Sequence, residues 1–281
     1  MPSANSVVLL DIHDGYAEIT FNRPERLNAF NDEMRAKTRE HLAACIEDDS
    51  VHAVVLKGEG RAFSAGADLG NPSTEIKPTS AWKRLFLSEN RLFKKVLSCP
   101  KPTIAATKGY ALGYGFFLAN SCDVILSTRS CKFGTPEIRQ AAGVARLLAP
   151  SNVRRNLAME FLLTGDLVDG EKAEAIGLVN RAVEDDALDR EVSKLARKLG
   201  RIDLRALRMN KAMVNRWYGA ERYWLPLDFA ARQEALLLGS GASVEWMKLA
   251  QKVGLKEFLR LRDEPFREIE EGGERDESPA R

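Results

Sequence analysis

The sequence predicts an α/β fold ending in a helical module, on three observations. Short β-rich apolar runs alternate with helix-period segments as far as Ala158, and beyond it strands nearly vanish while helical periodicity takes over. The 281-residue chain, 44% hydrophobic, is also long enough to bury a sizeable core as one large domain with a helical appendage.

The elements follow in order. Residues 7–12 and 16–21 are β-rich runs around His13-Asp14-Gly15, where the Asp-Gly pair supplies the positive φ angles of a tight turn. Asn31-Asp32-Glu33 offers a cap and an acidic first turn to a helix running to about Ile46, with Met34, Leu42 and Ile46 spaced along one face. Residues 53–56 read as a short buried strand. A polar insert at 71–79, a helix over 81–97, a strand at 102–107, a helix from about Tyr114 and a strand at 123–127 come next. The C-terminal module reads as helices over 188–199, 204–217, 223–238 and 244–261, and the charged, aperiodic stretch after Phe266 reads as a disordered tail. The boundaries are 1–200 for the core, 201–265 for the helical module and 266–281 for the tail.

Forty-two Lys and Arg against 40 Asp and Glu leave a formal charge of +2, which argues against a nucleic-acid-binding stripe or a polyanionic face. Cys45, Cys99, Cys122 and Cys131 lack the spacing of a zinc site or a disulfide framework and read as reduced thiols. The N-terminal apolar run is too short for a signal peptide or a membrane span, and the last residues do not match a peroxisomal ending. The expectation is a cytoplasmic protein with no metal, no permanently bound cofactor, no nucleic-acid partner and no membrane contact.

Two loops and one glutamate are the candidates for chemistry. The loop 61–69, Arg-Ala-Phe-Ser-Ala-Gly-Ala-Asp-Leu, follows a buried strand; it reads either as a tight turn or as a surface bare enough for a ligand to lie against free amides. The segment 108–117 places Gly109, Gly113 and Gly115 at a helix start, where orphan N–H donors and the positive end of the helix dipole suit an anion or a developing oxyanion. It lacks the Lys-Ser/Thr ending of a phosphate loop. Glu137 follows Pro136 between apolar segments, where it is either a first-turn charge or, in an apolar cavity, a general base. His13, His41 and His52 all precede these segments and read as surface residues, against a histidine-based triad; Asp123 and Asp166 read as cap or turn residues. Trp217, Tyr223 and Trp224 read as an aromatic cluster for subunit packing or pocket lining.

These three segments, in this order and spacing, resemble the pattern of the enoyl-CoA hydratase/isomerase (crotonase) superfamily, as do residues 21–29 (Phe-Asn-Arg-Pro-Glu-Arg-Leu-Asn-Ala), 101–106 (Lys-Pro-Thr-Ile-Ala-Ala) and 157–165 (Leu-Ala-Met-Glu-Phe-Leu-Leu-Thr-Gly). The similarity runs from about residue 7 to 200 and more loosely through the C-terminal helices. It implies a spiral of repeated ββα units with a C-terminal trimerisation module, assembled as a homotrimer or as a hexamer of two trimers. The substrate would be an acyl-CoA, the coenzyme A entering with it and lying against Arg26, Leu27 and Ala29 and against Ala65, Gly66, Ala67, Asp68 and Leu69. The resemblance further implies an oxyanion hole from the N–H groups of Ala65 and Tyr114, with Glu137 as acid/base.

Three departures refine this. Hydratases of the superfamily use a second glutamate where this chain has Phe117, which can neither activate nor orient a water. The isomerases that move a 3-enoyl double bond to position 2 carry an apolar residue there and need only one carboxylate, so 3,2-enoyl-CoA isomerisation is the leading expectation. The alternatives are hydrolysis or hydration of an unusual acyl-CoA, or binding without catalysis. Tyr114 stands where the family has glycine, so its ring is expected to crowd the thioester. The stretch after Glu137 (139–146) is about three residues shorter than the family's pattern, so the acyl pocket, assigned to Phe117, Arg139 and Gln140, is expected to be remodelled.

Overall fold

The computed structural model describes residues 6–70, 77–142, 153–218 and 221–270, excepting the side chains of 217, 218, 221–225, 268 and 270. Asp14 and Gly15 form the two-residue turn between β1 (Val8–His13) and β2 (Tyr16–Phe21), with Gly15 at φ +84° and His13 opposite Tyr16. The strands that follow are β3 (Ala53–Gly58), β4 (Thr103–Thr107), β5 (Tyr110–Leu112), β6 (Val124–Thr128), β7 (Lys132–Gly134), β8 (Val168–Asp169) and β9 (Arg181–Val183). One sheet runs β1-β2-β3-β4-β6-β9, parallel from β2 onward; a second, smaller one runs β5-β7-β8.

The central strands of the large sheet are buried on both faces, which is why β3 and β4 read as continuous apolar runs rather than as alternations, whereas the edge strand β1 is exposed toward His13. Ala17, Ile19, Phe21, Val54, Leu56, Ala105 and Ile125 point into the main core. Their neighbours Tyr16, Ala53, Val55, Ile104, Ala106 and Leu126 meet Leu188, Val192 and Ala196 of a helix on the outer face. The two-residue period of a strand separates these sets residue by residue.

The helices are α1 (Asp32–Glu47), α2 (Thr79–Leu97), α3 (Tyr114–Asn120), α4 (Arg155–Thr164), α5 (Gly170–Ala175), the outer α6 (Leu188–Gly200), α7 (Leu204–Tyr218), α8 (Glu221–Gly239), α9 (Val244–Val253) and α10 (Leu255–Glu270). Asn31 caps α1, its Oδ1 accepting the Met34 N–H at 2.9 Å. Helix α8 lies along α2: Ala231, Ala235 and Leu238 pack on Trp82 and Phe86, and the Asn90 Nδ2 donates to the Leu227 carbonyl. All four cysteines are free thiols, and burial pushes those of Cys45 and Cys131 up to about 12. No helix among the described residues is long and apolar enough to cross a membrane.

Three expectations change. The single helix expected over 244–261 is two, broken at Gly254, whose φ of +80° suits glycine and ends α9. Helix α10 then continues to Glu270, so the stretch from 266 is helical as far as it is described. Residues 181–183, in the region read as strand-poor, form the edge strand of the large sheet. Residues 71–76 and 143–146 and the side chains of Trp217, Tyr223 and Trp224 lie outside the described residues.

Candidate active site

The small sheet positions the site. Gly113, at the end of β5, donates its N–H to the Gly134 carbonyl at the end of β7, so the start of α3 and the turn Pro136–Gln140 are delivered side by side. The Glu137 carboxylate lies directly over Gly113: a Cβ there would sit 3.0 Å from Oε1 and 3.2 Å from Oε2, and the backbone at φ +47° independently disfavours any side chain.

The loop 62–68 meets α3 from the other side. Ser64, fully buried, pairs its backbone with Tyr110 and Leu112 of β5 and donates its hydroxyl to the Asn28 carbonyl at 2.9 Å. A Cβ on Gly115 would lie 2.6 Å from that of Ser64, so α3 rests on the loop itself. One on Gly66 would lie 3.7 Å from the Tyr114 nitrogen. The loop, the first turn of α3 and the Glu137 carboxylate therefore share one small region.

The loop is anchored at both ends. Asn28 is fully buried at φ +55°, a conformation asparagine tolerates, with Nδ2 donating to the carbonyls of Glu59 (2.9 Å) and Ala62 (2.7 Å) and Oδ1 accepting the Arg23 N–H. The Arg23 Nη1 reaches Asp68 Oδ2 at 2.8 Å and the Ala29 carbonyl at 2.7 Å. Burial would raise the Asp68 carboxyl, but the Arg23 guanidinium and the Gly70 N–H outweigh it and hold the carboxyl below its ordinary value.

The geometry corrects the choice of donor in this loop. The Ala65 N–H donates to the Leu27 carbonyl at 2.9 Å, so its one proton is directed away from the site. Two residues on, the Phe30 N–H donates to the Gly66 carbonyl and the Asp68 N–H to the Phe30 carbonyl, which leaves the intervening Ala67 facing the other way. The Ala67 N–H meets no acceptor among the described residues. Only the strand-like pairing of 66–68 with Phe30 exposes this, and the string of small residues in the sequence carries no mark of it.

The Tyr114 ring does not crowd this region as expected. It packs in the core between Phe30 (4.9 Å) and Phe93 (4.6 Å), with the Arg35 guanidinium over it and its hydroxyl donating to the Glu89 carbonyl. Its N–H stands in the first turn of α3, at the positive end of the helix.

A cavity of about 470 Å³ opens beside the site. Arg26, Leu69 and Gly70 form one wall, Gln140 and Ala142 another, and Trp246, Met247, Leu255 and Phe258 of α9 and α10 the roof. Of the three residues assigned to the acyl pocket, Gln140 alone lines it. Phe117 is buried against Phe93 and Phe116, and Arg139 is turned to the Thr164 carbonyl, Asp166 and Asp263, with its guanidinium 4.2 Å from the Phe266 ring. The roof residues were missed in the sequence because nothing local tells a helix that packs over a site from one that packs elsewhere.

The remaining candidates resolve to local roles. Asp123 accepts from the Thr103 N–H and hydroxyl and from Lys211; Asp166 pairs with Arg139. His13 stacks on Tyr16, while the His41 and His52 rings lie against the Val8 and Ile202 carbonyls. Among the described residues no group of three or more His, Cys, Asp or Glu is placed to hold a metal ion.

Residues 11–267 match the family model described as enoyl-CoA hydratase/isomerase. A probable enoyl-CoA hydratase of Rhizobium meliloti is 35% identical, the match covering 89% of this chain and 93% of that one. A 1,2-epoxyphenylacetyl-CoA isomerase of Escherichia coli is 32% identical over 74% of this chain and 81% of its own. Among solved structures, an enoyl-CoA hydratase/isomerase from Xanthobacter autotrophicus Py2 superimposes with a TM-score of 0.88 at 34% identity, covering 93% of this chain and 98% of that one.

Proposed function

We propose, on the premise that this chain belongs to the enoyl-CoA hydratase/isomerase family, that it moves the double bond of a 3-enoyl-CoA into conjugation with Glu137 as its single acid and base. The observation that carries the reading is the Glu137 carboxylate lying against Gly113 at the start of α3, while the residue one turn along that helix is the buried Phe117. One carboxylate can shuttle a proton; orienting and activating a water between two needs a second.

In the reaction so assigned, Glu137 takes the proton from the α carbon and the electron pair moves onto the thioester oxygen. That oxygen accepts from the Ala67 and Tyr114 N–H groups, the helix dipole of α3 adding to the second. The dienolate then takes the proton from Glu137 at its γ carbon, which leaves the double bond conjugated and the carboxylate regenerated. Each preorganised donor is worth on the order of 10²–10³ in rate in comparable sites. The 1,2-epoxyphenylacetyl-CoA isomerase among the relatives is an isomerase of an acyl-CoA, though of an epoxide rather than of a 3-enoyl double bond, and the relatives named as hydratases make hydration the second reading.

For assembly, the outer face of α7 suits a homotrimer or hexamer, since Met209 and Met213, one helical turn apart, are 69% and 71% exposed with Val214 beside them. The assay for the chemistry follows the conjugated-thioester absorbance with 3-enoyl-CoA and with 2-enoyl-CoA. A rise with the first that Glu137→Gln reduces by about 10²–10⁴ is expected for a proton-transferring carboxylate. A fall with the second would establish hydration instead.

A further inference from the structure

The cavity wall is not uniformly apolar: beside Arg26 and Gln251 it carries two polar side chains, Gln140 and Ser243, held in place without a partner on the cavity side. Gln140 is 9% exposed and its Oε1 accepts from the Arg262 Nη1 at 3.4 Å. A guanidinium carries only donors, so that contact dictates which way the carboxamide points: oxygen to Arg262, Nε2 away from it. Nε2 makes no hydrogen bond among the described residues. Ser243 is 2% exposed and stands at the N-cap of α9, yet its hydroxyl caps nothing, because its backbone is in the helical rather than the extended region. Its hydroxyl, too, has no partner among the described residues, and both residues line the cavity.

The charges behind this wall are balanced. Arg262, 7% exposed, donates Nε and Nη2 to the Asp263 carboxylate at 2.8 Å each, and Arg139 is shared between Asp263 at 3.6 Å and Asp166. On the Gln140 side two guanidiniums face two carboxylates, so this side offers hydrogen bonds but no net charge to a ligand; the charged residue of the lining, Arg26, stands on the wall where the resemblance puts the coenzyme A. Gln140 also lies three residues after Glu137 in a 3₁₀ turn, where such side chains eclipse, on one face and roughly 6 Å apart along the axis.

We infer that Gln140 and Ser243 recognise an uncharged oxygen, hydroxyl or carbonyl, on the acyl group of the substrate, several bonds beyond the carbons that Glu137 serves. This rests on the acyl-CoA reading above. The Gln140 amide donates to that oxygen, and the Ser243 hydroxyl donates or accepts; Trp246, Met247 and Phe258 enclose the chain around it. A plain hydrocarbon chain in the same place leaves both polar groups desolvated and unpaired, and this mismatch discriminates far more strongly than an added methylene.

The test is equilibrium binding to the full chain of hexanoyl-CoA and of its analogues bearing a hydroxyl or keto oxygen at the fifth or sixth carbon. The unmodified protein should bind one of the oxygenated analogues at least tenfold more tightly than hexanoyl-CoA. Gln140→Leu should bring that ratio to about one, and Ser243→Ala should reduce it severalfold. Gln140→Glu, which keeps the oxygen facing Arg262 but removes the donor, should also abolish the preference, and it answers the question should the leucine variant fail to fold. Equal affinities in the unmodified protein, or a preference that survives both Gln140 variants, would overturn the inference while leaving the acyl-CoA reading intact. Failure of every CoA ester to bind would overturn both.

Discussion

The large sheet and the roof of the cavity are built on different physics. In the sheet, strands β3 and β4 are buried mainly by uncharged side chains, the single charge of Lys57 being met at the end of β3 by Glu18 and Asp189, and Leu56, fully buried, lies between Ile19 and Ala105 on the neighbouring strands. The roof is joined to the Glu137 turn through Arg139, Arg262, Asp166 and Asp263, polar groups whose attraction must first offset their desolvation. The difference separates two tasks. Apolar layers fix where the site is, and a balanced ionic seam closes helix α10 over it, so the seam can loosen or change without dismantling the scaffold.

The strongest way to break this comparison is to damage each side once. Leu56→Ala removes a core side chain from a place that cannot collapse and should destabilise the protein by about 2–5 kcal/mol, read from denaturant unfolding. Added salt should not rescue or worsen it, because no charge is involved. Asp263→Ala leaves two guanidiniums short of a carboxylate; its cost should be about 1–3 kcal/mol, and it should show first as weaker acyl-CoA binding and as faster proteolysis within α10. Unfolding by Asp263→Ala as severe as that by Leu56→Ala would mean the roof is part of the fold's foundation and the separation is false.

The same division governs what could be read in the sequence. The hairpin at Asp14-Gly15, the capped α1 and the buried strands announce themselves through turn chemistry and periodicity, which act over a few residues. Glu137 and the glycines of 113–115 were legible because their spacing resembles a known pattern. The direction of the Ala67 N–H was not, since it depends on pairing with Phe30, more than thirty residues away. Nor was the break at Gly254 separating α9 from α10: a lone glycine within a helical period carries no decisive mark. Arg139 and Gln140 looked equivalent beside Glu137. The end of α4, with Thr164 and Asp166, and Asp263 of α10 together turn the first away from the cavity, while Arg262 of α10 fixes the second at it.

The smallest expected effect lies between the two regions, at the Arg23–Asp68 pair that fastens the site loop to the segment after β2. The Asp68 carboxyl is held below its ordinary value in the folded chain, so its contribution is complete above the unfolded carboxylate value, near 3.9. That contribution declines as the pH falls through the lower, folded value. The pair is partly exposed, at 15% and 21% for its two side chains, so screening limits the contribution to less than about 1 kcal/mol. Asp68→Asn should therefore lower stability slightly at neutral pH and converge with the unmodified protein in acid. Denaturant midpoints measured for both proteins from neutral pH down to about pH 3 test this directly. A gap that widened on acidification would mean the carboxyl is destabilising as an anion, and that hydrogen bonding within the loop, rather than the ion pair, fastens the site to the sheet.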